Sequence, residues 1–173
     1  FILITIYSDS AVYLLGIVVL LALTFDISRK FIRSWNQLFL RMFGLYLKPG
    51  EATDIITGAT SLWVGLYLVF ILFGEPIFTI SASIMVYADS LAALLGRVFP
   101  THRFSNSKSL GGAAVFILTS IFICWQYANI PLIPTLILSI IWGVSELLFK
   151  NALENFLLGL GSAITLLIYF QIF

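Results

Sequence analysis

Asp89 is a carboxylate inside an otherwise apolar run, and the stretch behind it carries Arg97, then Lys108, Ser109 and the pair Gly111 and Gly112. Placing a carboxylate in a hydrophobic helix costs at least ~2.5 kcal/mol, so by default it marks a functional site facing a bundle interior. A lysine beside serines, with glycines at the next helix start, suits phosphate: the ammonium brings charge and the helix start brings backbone N–H groups. Thr57 opens an earlier apolar run, Glu146 lies near the end of a later one, and Glu154-Asn155 begins the last. These residue types describe a membrane site that handles phosphate.

The elements that must hold these residues are apolar. The chain has 173 residues, 61% hydrophobic and 10% charged, with mean hydropathy +1.09. A small soluble domain has too much surface to hide that apolar content. The expected fold is an all-α, polytopic transmembrane helical bundle of about six spans plus a basic amphipathic helix, forming one integral membrane domain over 1–173. The chain opens on Phe1, which reads as an N-terminally truncated piece. Net charge is +1, and no nucleic-acid partner is expected. Cys124 in its apolar run reads as a small core residue, and His102, with no second His or Cys nearby, as a surface residue.

Apolar runs fall at 11–25, 58–74, 76–96, 110–127, 132–149 and 153–173. Lengths near 20 residues match a hydrocarbon core of ~30 Å at 1.5 Å per residue. Between the first two, 27–48 places Phe31, Trp35, Leu38, Phe39, Met42 and Tyr46 at helical spacing, with Arg29, Arg33, Gln37, Arg41 and Lys48 opposite. That pattern predicts an amphipathic helix at a membrane interface. Segment 97–112 reads as the site loop. If the spans alternate, all nine basic residues share one side, which the positive-inside rule makes cytoplasmic. Asp89, eight residues before Arg97, then sits ~12 Å from that end of its helix.

Blander roles are open for several of these groups. Ala88, Ala92 and Gly96 recur every four residues, the spacing that lets another helix approach closely. Gly111 and Gly112 suit such packing as well as they suit an anion. Asp89 reads as a metal ligand, with an ion pair to Arg97 or Lys108 as the runner-up; Glu146, nearer the interface, is the weaker ligand candidate.

Asp89-Ser-Leu-Ala-Ala-Leu-Leu-Gly-Arg97 followed by Lys108-Ser109-Leu-Gly-Gly112 resembles the CTP-dependent lipid kinases, the family of dolichol, phytol and diacylglycerol kinases. Asp26 with Arg29, then Lys48-Pro-Gly-Glu51 and Thr57-Gly58-Ala59-Thr60, is similar to the stretch that precedes the Asp helix there. Glu146 and Glu154-Asn155 resemble the family's late acid and its Asp-Asn element. Gly111 stands where many members carry Glu, and the family's upstream Arg-Lys…His segment is not in this chain.

The resemblance implies transfer of the γ-phosphoryl group of CTP to a lipid alcohol, with Mg²⁺ as cofactor and the bilayer as setting. It assigns catalytic roles to Asp89, Lys108 and Glu146, with Asp89 and Glu146 on the metal. Arg97, Lys108, Ser109, Gly111, Gly112, Thr57 and Asn155 would hold the nucleotide. The small-residue faces permit a homodimer. Two alternatives stand beside this reading: a phosphatidate cytidylyltransferase attacking the α-phosphorus, and a small transporter or structural membrane protein.

Overall fold

The computed structural model describes residues 8–44, 54–99, 101, 108–128, 130–148 and 153–172. Seven α-helices and one π turn make up the described fold. They are α1 (Ser8–Phe31), α2 (Arg33–Phe43), α3 (Gly58–Ser83), α4 (Asp89–Val98), α5 (Leu110–Ala128), α6 (Leu132–Leu148) and α7 (Glu154–Ile172); the π turn (Ile84–Ala88) joins α3 to α4. Lys48, Pro49, Gly50, Glu51, His102 and Lys150 lie outside the described residues, so the loop expected at 97–112 is described only at its two ends.

Four helical stretches are long and apolar enough to cross a membrane: Ser10–Phe31, Gly58–Val98, Leu110–Tyr127 and Glu154–Ile172. Leu132–Leu148 is apolar but shorter. Large apolar side chains face outward all round the bundle, among them Leu20, Leu21, Leu118, Ile133, Ile137 and Ile168. A water-exposed surface of that kind would aggregate, whereas lipid covers it at no cost. The chain has the helices and the surface of an integral membrane protein.

At 41 residues, Gly58–Val98 is one helical stretch where sequence spacing separates two runs. Gly74 explains the difference. Its φ of 72° and ψ of −178° lie in a region open essentially to glycine, and the chain reverses there. Phe70 and Phe78 meet edge to face with ring centroids 4.8 Å apart, whereas eight residues of straight helix would separate them by ~12 Å. A Cβ on Gly65 would lie 3.2 Å from the Met85 Cε, again closing a separation of ~30 Å along a straight helix. Pro76, two residues past the bend, suits a new helix start, where its missing N–H leaves nothing unsatisfied.

The leg after this reversal is the centre of the molecule. Phe78, Ile80, Ala82, Ile84, Met85 and Ala88 are all at most 2% exposed. The first leg of α3 packs on α1 and α7, and α4 packs on α5, which packs on α6. The π turn lies where these two contact sets meet. A π turn adds a residue to the helical repeat and rotates everything after it. Met85 within it is wedged against Gly65 and Gly159, and Ala92 and Gly96 after it face Gly112 of α5. The expected close approach along the small residues of this helix is therefore present, with α5 as the partner.

α1 runs on through Asp26 and Arg29 to Phe31, beyond the expected end of the first run. Ile32, extended at φ −110° and ψ 101°, separates it from α2. Arg29 consequently belongs to α1 and is buried, 1% exposed, instead of lying on the polar face of an interfacial helix.

Candidate functional site

Four chain segments meet at one end of the bundle, each contributing one charged side chain. Asp89 is the first residue of α4, directly after the π turn. Glu146 lies in the last turn of α6, and Glu154 begins α7. Lys108 precedes Ser109, whose hydroxyl accepts from the Gly112 N–H at 3.1 Å and so caps α5.

The three acids each offer a carboxylate oxygen lying within 4.8 Å of the others. Glu146 and Glu154 are buried and Asp89 half-buried. Lys108 stands among them, its Nζ 2.9 Å from Glu146 Oε1 and 2.6 Å from Glu154 Oε1. The same ammonium donates to the Glu146 backbone carbonyl. Burial is possible here because the charges are paired; unpaired, each would be strongly disfavoured.

Sequence reasoning named Asp89 and Glu146 as ligands, and the structure brings them together. Glu154, which the sequence placed at the start of the last helix and in the Glu-Asn element of the resemblance but not among the metal ligands, is the third acid of the group. The available signal was an acid at the first position of an apolar helix, where the helix dipole favours negative charge. Three convergent carboxylates are hard oxygen donors of the kind Mg²⁺ takes, so the residues present fit such an ion.

The residues expected to grip the nucleotide are distributed differently. Arg97 is exposed in the last turn of α4 and is not drawn into the cluster. Ser109 is buried, its hydroxyl 3.3 Å from the Gly96 carbonyl as well as capping α5. A Cβ on Gly112 would stand 3.0 Å from the Ala92 carbonyl, and one on Gly111 would stand 2.7 Å from the Phe99 carbonyl. Gly112 is therefore needed for close packing against α4, and Gly111 for packing against the chain just beyond its end.

Thr57 belongs to a neighbouring network. As the N-cap of α3 it accepts from the Thr60 N–H, and its own N–H donates to Asp26 Oδ2 at 2.7 Å. The other Asp26 oxygen accepts from Arg29 Nε at 3.0 Å, and Arg29 Nη2 donates to the Asp54 carbonyl at 3.0 Å. The Phe39 ring lies over the guanidinium, 4.7 Å from it. Asn155 connects the two regions: next to Glu154, it donates from Nδ2 to the Gly58 carbonyl at 3.1 Å.

No family model matches the chain, and no solved structure matches it. It is 30% identical over 95 residues to uncharacterized protein RP860 of Rickettsia prowazekii (strain Madrid E). The match covers 55% of this chain and 44% of that relative, so the chain spans less than half the length of the relative it matches.

Proposed function

We propose that the protein is a membrane lipid kinase that moves the γ-phosphoryl group of CTP to a lipid alcohol at the cytoplasmic face. The observation that carries this reading is the meeting of Asp89, Glu146, Glu154 and Lys108 at one end of an apolar bundle. Phosphoryl transfer has a loose transition state, so positioning and charge neutralisation do most of the catalysis. Mg²⁺ bound at the acids would neutralise charge on the transferring phosphoryl group. Lys108 and Arg97 take the phosphate oxygens. Asn155 keeps α7 seated on the start of α3 and so keeps Glu154 aimed at the cluster. An acid of the trio accepts the proton of the lipid hydroxyl. CTP as donor, and dolichol, another polyprenol, phytol or diacylglycerol as acceptor, come from the motif resemblance.

In the same reading the chain crosses the bilayer six times, through α1, the two legs on either side of Gly74, α5, α6 and α7. The acidic trio and the nine basic residues then share the cytoplasmic side. The test is purified protein in detergent with Mg²⁺ and CTP labelled separately at the γ and α phosphorus, offered a polyprenol, phytol, diacylglycerol and phosphatidate. Label passing from the γ position to an alcohol is the expected result. Label passing from the α position to phosphatidate would instead make it a cytidylyltransferase, and transfer of neither would remove the enzyme reading.

A further inference from the structure

The ammonium of Lys108 has three N–H donors, and three acceptors surround it: Glu146 Oε1, Glu154 Oε1 and the Glu146 carbonyl. Nothing remains on it for a phosphate oxygen. It also occupies the place toward which the carboxylates converge, with its side chain only 15% exposed. A second cation drawn to the same oxygens would stand a few ångströms from the ammonium, in a site with little water to screen the repulsion.

We infer that Lys108 holds the cation seat of the resting site and gives it up when a divalent cation arrives together with a polyphosphate. On release from Glu146 and Glu154, its three donors pass to the phosphate oxygens that accompany the cation. Lys108 adjoins Ser109, which caps α5, so a swing of its side chain suffices for the exchange. The exchange conserves pairing: every carboxylate keeps a cation, and the ammonium keeps anionic partners. It follows that a divalent cation alone binds weakly, because it must first displace the ammonium from Glu146 and Glu154. This inference rests on the proposed cation–nucleotide substrate but concerns binding, which is measurable without turnover.

Binding of Mn²⁺, followed by the loss of its free-ion paramagnetic resonance signal, tests the exchange on the full chain in detergent. With the wild-type protein, a non-hydrolysable CTP analogue should tighten Mn²⁺ binding at least about tenfold beyond the affinity of the analogue for Mn²⁺ in solution. In Lys108→Met, Mn²⁺ alone should bind at least about tenfold tighter than to wild type, and the analogue should add little. Lys108→Gln, which keeps amide donors for the two glutamates, should show the same gain if the methionine variant fails to fold. Equal Mn²⁺ affinity in wild type and both variants would overturn the exchange.

Amine acetylation supplies a reading on the unaltered protein. Lys108 labelling, located by mass spectrometry, should rise with Mn²⁺ alone at saturation and fall again when the analogue is added. Labelling that ignores Mn²⁺ would equally overturn the exchange. A gain of Mn²⁺ affinity in Lys108→Met without any γ-phosphoryl transfer by wild type would keep the exchange and remove the kinase. Transfer by wild type with Mn²⁺ binding indifferent to Lys108 would do the reverse.

Discussion

Three carboxylates held within 4.8 Å of one another repel unless a cation lies among them, and Lys108 is that cation here. Each acid then matters separately to a reaction that places a metal ion in the site. Asp89→Asn and Glu154→Gln should each reduce γ-phosphoryl transfer at least about a hundredfold, with the protein still extracted and folded in detergent. Retained transfer in Asp89→Asn would take Asp89 out of the mechanism. The Asp26–Arg29 pair predicts a stability effect instead. Both side chains are at most 2% exposed, so Asp26→Ala leaves a buried guanidinium without its carboxylate and should cost about 3–5 kcal/mol. A lowered midpoint in denaturant titration of the detergent-solubilised protein would measure it. Asp89 and Glu146 were legible as candidate site residues because charge in an apolar run is conspicuous. Arg29 was not, since a basic residue near a helix end reads equally well as solvated. Only the fold shows that Thr57, Asp54 and Phe39 enclose the pair it forms with Asp26.

Glycines at helix contacts set the element scale. Gly112 meets α4 so closely that Gly112→Val should force α4 and α5 apart, moving Asp89 with α4. Transfer and thermal stability should fall together in that variant. A Cβ on Gly161 would meet nothing within 4 Å, so Gly161→Ala should leave both unchanged and serves as the control. Gly74→Ala places a side chain where φ is 72° and should lower stability by about 1–3 kcal/mol, read as a shift of the unfolding midpoint. The helices themselves could be read from apolar run length, and the bend fell where Gly74 and Pro76 mark it. The π turn could not be read, because Ile-Met-Val-Tyr-Ala is ordinary helix sequence. It lies where the helix passes from packing on α7 to packing on α5, and a linear pattern does not contain its neighbours.

Sidedness belongs to the whole molecule. The six-span reading puts Glu75 and Arg97 on opposite faces of the membrane. In a chain whose buried Cys124 is replaced by Ala, Glu75→Cys and Arg97→Cys should be labelled by an impermeant thiol reagent from opposite sides of sealed vesicles. Labelling of both from one side would overturn that topology. The reversal at Gly74 also bears on how the chain enters a bilayer. The two legs are joined by a bend with no linker between them, so neither has a separate route across. In the six-span topology they would insert as one hairpin carrying Glu75 at its tip, the apolar surface of both legs offsetting the unfavourable transfer of Asp89. An acid that would hinder a lone helix would then enter on a partner that is already attached.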